Sequence, residues 1–455
     1  MAINVKAGWP LEVNPNAPAN SLERKQPAID DGLDIPHPSR YYSREFMEKE
    51  WRQLWPRVWL IAGVVSDLAE AGDYSVFEFG SESFLLVRQE DGHIKAFYNV
   101  CPHRGNRIAL NERGSVAQFT CSFHGWQFQC NGKLKSITDE NTFNPKLVHH
   151  RPALSEIRCE VLGGIVFINM DGKAPPLREY IGLPPGYIEN YEIDKMHVVH
   201  HVRSEWAANW KTGVDAFYET YHLPFVHPQT QTVMEDFSQY DLYPNGASRM
   251  IVPLCTKSHR VADQESVDAG LRFMMQDAGM NPDEYRGNAQ GVREAVQRSK
   301  RARAQRLGLT HYEKFTDGQL TDSWATGIFP NVQIGMHPEG VFIMRFVPHA
   351  SDPERFTYDT MILYRHVEDK DYTVPAWMGL PQGIDVTGAT RPNIKHVPLG
   401  VKPELGEVLD QDSDLLPIVQ QGVRSRGFRG PLWGEQEMRV RHYQRELERY
   451  INGEK

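Results

Sequence analysis

The chain has 455 residues and a formal net charge of -9, with 40% hydrophobic and 24% charged residues, the profile of a soluble globular protein with room for two or three domains. The acidic balance argues against a nucleic-acid binder, no apolar run approaches the ~20 residues of a membrane span, and Met1–Gly8 lacks a charged region followed by an apolar core, so no secretory signal is expected. Five cysteines in a chain this long do not form a disulfide framework. The expected setting is the cytoplasm, where thiols stay reduced and can serve as metal ligands.

Residues 1–40 are rich in Pro and Asn without a period and predict an extended arm. Ser43 is placed to cap a helix whose apolar stripe is Phe46, Met47, Trp51, Leu54 and Trp55. Strands are predicted at Tyr74–Phe79 and Ser83–Arg88, with Asp91-Gly92 as a hairpin turn. These belong to a small all-β domain running to about Asp171, followed by a Pro- and Gly-rich linker, Ala174–Tyr187. Beyond it the pattern is mixed: a helix over Asn209–His222, strands at Val332–Met336, Val341–Val347 and Phe356–Tyr364, and helices near Leu409–Gln421 and Gly434–Tyr450. The polar stretch Asp263–Leu309 reads as helical. Its basic residues Arg293, Arg298, Lys300, Arg301, Arg303 and Arg306 are expected to form a solvated face rather than an anion site.

Cys101-Pro102-His103 is followed by Cys121-Ser122-Phe123-His124. Two Cys–His pairs on two loops can hold a [2Fe–2S] cluster, with thiolates on one iron and imidazoles on the other, a ligand set that raises the reduction potential. The competing reading is a structural zinc ion on the same four residues, although zinc modules usually pair their cysteines closely. Cys130, Cys159 and Cys255 have no His at ligand spacing and are expected to be buried free thiols.

The second constellation is the run Asn209-Trp210-Lys211 to His227. Glu219 and His222 lie three apart, with Asp215 four before Glu219, so a continuous helix would put all three on one face. Pro224 is expected to break that helix and let His227 swing back toward His222. Two imidazoles and one carboxylate make the facial triad of non-haem Fe(II) oxygenases, which leaves positions open for O2. The carboxylate must come from elsewhere in the chain. A lone His-x4-His is weak evidence. His197, His200 and His201, and likewise His149 and His150, also cluster and are read as non-ligands.

The Cys–His pairs and the Glu219–His227 segment, in this order, resemble the α subunits of Rieske non-haem iron oxygenases over about Tyr41 to Ile451. Asn209-Trp210-Lys211, Glu219 and Tyr221 fit the same resemblance. It implies an α+β chain: an N-terminal arm (1–40), an all-β Rieske [2Fe–2S] domain (41–172) and a helix-grip catalytic domain with an antiparallel sheet (173–455). It implies Cys101, His103, Cys121 and His124 as cluster ligands. It also implies His222, His227 and Asp412 on a mononuclear iron, Asp412 being chosen over Asp410 and Asp414, and Glu219 as the acid bridging the two centres. Gln411 stands where the family usually has the first acid of a pair, and Asp215 where Asn is common, which would put an extra carboxylate near the iron.

The activity so implied is O2-dependent hydroxylation, foremost cis-dihydroxylation, of an aromatic or other apolar ring. Electrons would come from NAD(P)H through a ferredoxin or flavin reductase, to a homotrimer with or without β subunits. The alternative is a monooxygenase or demethylase acting on a non-aromatic or quaternary-ammonium substrate. A plain electron carrier would need only the first domain. Phe217, Tyr218, Phe225 and Phe329 are candidates to line an apolar pocket.

Overall fold

The computed structural model describes residues 13–455 except 20, 370, 371, 373, 376–379 and 382; the start of the predicted arm, residues 1–12, lies outside the described residues. From Val13 the arm runs along the second half of the chain. Lys25 pairs with Asp241 at 2.8 Å, Arg249 donates to the carbonyls of Leu22 and Arg24, and Asp31 faces His442 at 3.0 Å. Ser43 Oγ accepts from the Phe46 N–H at 3.3 Å and starts α1 (Arg44–Lys49), which continues through a wider turn over Glu50–Leu54.

Alternating apolar residues then build β1 (Leu60–Val64), β2 (Asp73–Phe79), β3 (Glu82–Arg88), β4 (Ile94–Tyr98) and β5 (Arg113–Ser115). The short β6 (Phe119–Thr120), β7 (Gln127–Phe128) and β8 (Leu134–Ser136) precede α2 (Pro145–Val148), β9 (Glu156–Leu162) and β10 (Ile165–Asn169). A seven-stranded antiparallel sheet has the order β1-β10-β9-β4-β3-β2-β5, and β6-β7-β8 form a separate three-stranded sheet. α3 (Leu177–Ile181) follows in the predicted linker.

The second half holds β11 (His197–Trp206), α4 (Trp210–Phe217), α5 (Leu223–Val226), β12 (Gln239–Leu242) and β13 (Ser248–Val252). Then come α6 (Ala269–Asp277), α7 (Val292–Ala304), β14 (Ser323–Ile328), β15 (Val332–Met336), β16 (Gly340–Pro348) and β17 (Phe356–Tyr364). β18 (Lys395–Val397), α8 (Glu407–Val423) and α9 (Met438–Ile451) end the chain. Eight strands pair in the order β12-β13-β14-β15-β16-β17-β11-β18, antiparallel except for β18 along β11. The α+β expectation of a β domain and a sheet gripped by helices holds.

α4 lies on this sheet at very close range. A Cβ on Gly213 would stand 2.7 Å from the Phe346 ring, so only glycine lets the helix settle there. One apolar core joins α4 (Val214), the sheet (Phe346, Tyr358) and α9 (Tyr443, Leu447) to residues of the first sheet (Phe77, Val166). The buried Asp359 carboxylate also ties the halves together. It accepts from Arg345 at 2.7 Å, Arg203 at 2.9 Å and His201 at 2.9 Å, while Arg345 donates to the Ile61 carbonyl in β1 at 3.1 Å. Burial pushes its carboxyl up, but the Arg345 and Arg203 guanidiniums and the hydrogen bond from His201 outweigh it and hold it well below the usual range. His201 is thus a structural group, neutral because burial pushes its pKa down to about 4.

The predicted helix Asn209–His222 is shorter than expected. α4 ends at Phe217, and Pro224 sits at the start of the separate α5 instead of breaking one long helix. Within Asp263–Leu309, expected to be helical, α6 and α7 are joined by turns. The basic run along α7 is largely used in local pairs, such as Arg293–Asp322, Lys300–Glu339 and Arg301–Asp317, each at 2.6 Å. No helix among the described residues is long and apolar enough to cross a membrane. The five cysteines are free; Cys255 is buried, but Cys130 and Cys159 are only half-buried, less than expected.

Candidate metal centres

Two turns of the same design carry the Cys–His pairs. In the first, Cys101 N donates to Asn106 O at 2.7 Å and Gly105 N to Cys101 O at 3.0 Å; in the second, Cys121 N donates to Trp126 O at 2.8 Å and Gly125 N to Cys121 O at 2.9 Å. Gly105 and Gly125 occupy the matching left-handed positions, φ 76° and 70°. Burial pushes the Cys101 thiol up, opposed by the N–H groups of His103 and Arg104 that point at its sulfur. Burial also acts on Cys121, but the N–H groups of Phe123 and His124 outweigh it and lower that thiol. The two sulfurs face each other, and Asn106 Nδ2 reaches across to Cys121 Sγ at 3.6 Å.

The rings of His103 and His124 stand 4.6 Å apart, with Trp126 stacked on His103 at 4.7 Å. His103 Nδ1 is buried and has no hydrogen-bond partner, which fits an atom free to bind a metal. Partial burial, with His124 and Arg104 close by, lowers the pKa of this imidazole. One tetrahedral ion would draw four donors within ~4 Å of one another. Among the described residues, the groups of three or more donors with all atoms within 4.8 Å are His222–His227–Asp412 and Glu235–Asp236–His259. The Cys–His quartet is not one of these groups, so its donors are not gathered as closely as a single tetrahedral ion would draw them.

The His222 group is built by three segments. Asn209 caps α4 by accepting from the Lys211 N–H at 2.9 Å. Trp210 packs on Trp55, ring centroids 4.9 Å apart, and the fully buried Lys211 pairs with the buried Glu50 at 2.6 Å, fixing α4 to the turn after α1. The Gln420 amide oxygen on α8 accepts from Asn209 N at 2.8 Å and Thr212 Oγ1 at 3.2 Å, and its nitrogen donates to Tyr41 O at 2.9 Å.

After α4 stops, the chain turns so that the Glu219 carboxylate accepts from His222 Nδ1 at 2.5 Å and from His222 N at 3.1 Å. Burial pushes the His222 pKa down, but Glu219 outweighs it and raises it. α5 then returns His227, whose ring lies 5.2 Å from that of His222. Asp412 Oδ1 stands 3.1 Å from His227 Nε2 and 3.9 Å from His222 Nε2. Donors bound at ~2.1 Å and at right angles stand ~3 Å apart, so the three atoms fit neighbouring positions on one ion.

Neither competitor joins them. Asp410 caps the start of α8 by accepting from Leu405 N at 2.9 Å, and the exposed Asp414 faces Lys402 at 3.8 Å. Asp215 turns away from the group: it accepts from Tyr41 OH at 2.6 Å and Gln444 Nε2 at 2.8 Å. The extra carboxylate expected beside the metal is therefore an anchor for the N-terminal segment. The Glu235–Asp236–His259 group is internally satisfied, with Glu235 accepting from His259 and Phe237 N, and Asp236 from Arg260 and Ser258. Of the pocket candidates, Tyr218 and Phe329 are fully buried in the core, Phe225 is 78% exposed, and Phe217 is half-buried against Phe346 and Tyr358.

Residues 58–150 match the Rieske [2Fe-2S] domain, and residues 193–453, more than half of the chain, match the ring hydroxylating alpha subunit catalytic domain. The chain belongs to the ring-hydroxylating α-subunit family. The family is oligomeric and works with electron-transfer partners. Among its curated members, the glycine betaine monooxygenase oxygenase subunit of Pseudomonas aeruginosa is 27% identical over 252 residues, 55% of this chain and 57% of that one. The carnitine monooxygenase oxygenase subunit of Escherichia coli K12 is 34% identical over 195 residues, 42% of this chain and 52% of that one. The biphenyl 2,3-dioxygenase α subunit of Rhodococcus jostii is 31% identical over 194 residues, 42% of each chain. The chain spans about half the length of the curated relatives it matches. In fold it is similar to a quaternary ammonium Rieske monooxygenase solved with L-carnitine (TM-score 0.63, 18% identity, 93% of this chain and 97% of that one). It is also similar to naphthalene 1,2-dioxygenase from Rhodococcus sp. (TM-score 0.62, 16% identity, 92% and 95%).

Proposed function

We propose that this chain is the oxygenase subunit of an O2-dependent Rieske system that hydroxylates a small organic molecule with electrons drawn from NAD(P)H through a ferredoxin or flavin reductase. The observation that carries the reading is the meeting of His222, His227 and Asp412 donor atoms in a chain that also holds two matched Cys–His turns. We assign Cys101, His103, Cys121 and His124 to the cluster and His222, His227 and Asp412 to the mononuclear iron. We divide the chain into an arm (1–40), a cluster domain (41–172) and a catalytic domain (173–455). The free cysteines support a cytoplasmic setting.

When bound, the cluster supplies single electrons and the mononuclear iron supplies open positions for O2. The residues of the chain do the rest. The His103 ring is stacked flat on Trp126. Glu219 takes the Nδ1 hydrogen of His222 and fixes the ring with Nε2 inward. By resemblance, Glu219 also meets His103 or His124 of a neighbouring copy in a homotrimer and links the two centres.

For the substrate, the first reading is an aromatic or other apolar ring, dihydroxylated to a cis-diol. The relatives named for glycine betaine and carnitine favour the alternative, monooxygenation or demethylation of a quaternary-ammonium compound. Oxygen uptake with a suitable reductase, followed by product analysis with naphthalene and biphenyl on one side and glycine betaine and carnitine on the other, separates the two. Anaerobically purified protein is expected to hold about three irons per chain, two of them with acid-labile sulfide. Stoichiometric zinc without sulfide ends the Rieske assignment.

A further inference from the structure

The two imidazoles of the His222 group turn the same nitrogen inward and lean on unlike partners. Both present Nε2 to Asp412 Oδ1. Behind His222 stands the carboxylate of Glu219, 2.5 Å from Nδ1; behind the fully buried His227 stands the amide oxygen of Gln411, 2.6 Å from Nδ1. An amide oxygen only accepts, so His227 Nδ1 must carry the hydrogen and Nε2 keeps its lone pair. The amide is itself held in that sense, because Gln229 Nε2 donates to the same oxygen at 2.9 Å. Turned over, it would set an NH2 group against Nδ1, demand the opposite tautomer and aim an N–H at the centre of the group.

We propose that Gln411 is a positioning residue of the mononuclear site. Its amide oxygen fixes the tautomer and the ring plane of His227, and Gln229 fixes that amide. The proposal rests on the reading that His222, His227 and Asp412 hold a metal. Gln411 and Asp412 are adjacent on α8, so one turn of helix delivers both a ligand and the support of its neighbour. The two supports differ in kind. Glu219 is an anion and draws positive charge onto the His222 ring; Gln411 is neutral and leaves His227 an ordinary imidazole donor. A metal held there would meet two unequal nitrogens, and the role of Gln411 is orientation rather than charge.

The test uses Co(II) as a probe, added to the full-length chain with its cluster in place and its mononuclear site stripped by a chelator. Dissociation constants and the visible ligand-field bands are read together. Gln411→Leu, which removes the acceptor, is expected to weaken Co(II) binding ~10- to 100-fold and to shift the bands. Gln411→Glu keeps an accepting oxygen at the same reach and is expected to stay within several-fold of the parent. Gln229→Ala, which frees the amide, is expected to fall between them. Thermal melting of the stripped proteins reports any effect on the fold alone.

Parental affinity and bands in Gln411→Leu overturn the proposal. So does a Gln411→Glu variant as impaired as Gln411→Leu, since the amide's shape and not its acceptor would then matter. Should Gln411→Leu fail to fold, Gln229→Ala decides, and unchanged affinity and bands there overturn the proposal. A parent chain whose Co(II) bands survive Asp412→Ala sinks the underlying metal-site reading, before any Gln411 variant is made.

Discussion

Arg439 Nη1 donates to the carbonyl oxygen of Tyr218 at 3.2 Å, at the place where α4 stops. Its Nη2 donates to Gln333 Oε1 at 3.1 Å, and Gln333 in turn donates to the Phe217 carbonyl. The guanidinium is buried, lies 4.6 Å over the Tyr218 ring and bonds to neutral acceptors; burial pushes its pKa down to about 10. A cation at the negative end of a helix is favoured; here Arg439 also occupies the Tyr218 carbonyl, and Gln333 the Phe217 carbonyl, which would have continued the helix. The chain is thereby released into the turn that sets Glu219 against His222.

Replacing Arg439 with Met is expected to destabilise the protein by ~2–4 kcal/mol, because buried acceptors on Tyr218 and Gln333 lose their donor. Urea unfolding measures this. A variant as stable as the parent shows that the clamp contributes nothing.

Asp412→Ala is expected to lose turnover and the mononuclear iron while keeping the visible spectrum of the cluster. Water is a poor substitute for one of three protein ligands. An active Asp412→Ala protein beside an inactive Asp410→Ala one would move the third ligand to Asp410.

Glu219→Gln keeps an acceptor near His222 Nδ1 but removes the charge. It is expected to retain both metals and the oligomer and to lose nearly all turnover, with the cluster still reduced by dithionite. Single-turnover product yield beside the steady-state rate is the measurement, and near-parental turnover removes the bridging role.

Burial pushes the Asp215 carboxyl up to about 6, while an unfolded aspartate titrates near ~3.9. Between these values the folded chain holds a proton that the unfolded chain has released, so the contribution of Asp215 to stability falls as pH rises from about 4 to about 6. Above that window the penalty levels off at roughly 3 kcal/mol. Asp215→Asn, which does not ionise, is expected to gain stability relative to the parent across the same window. Parallel melting curves for the two proteins from pH 4 to 8 contradict the burial argument.

What could be read from the residues alone followed local rules. The strands at 332–336, 341–347 and 356–364 show in their β-branched and aromatic runs, and α8 and α9 in their apolar period. Cys101, His103, Cys121 and His124 stood out by spacing, and Asp412 through the resemblance. The end of α4 did not show, because Arg439 and Gln333 act on it from far along the chain. The direction of Asp215 was hidden for the same reason: Tyr41 and Gln444 draw it away. Gln411 was visible only as a departure, since an amide has no motif of its own.

The long span between partners in the second donor group bears on how the chain matures. All four cysteine and histidine residues of the two turns lie before Trp126, whereas the other group needs Asp412 from α8, and the clamp on α4 needs Arg439 from α9. Chains emerge N-terminus first and their domains fold as units. On the ribosome, then, the two Cys–His turns can close while His222 and His227 still lack the Asp412 carboxylate.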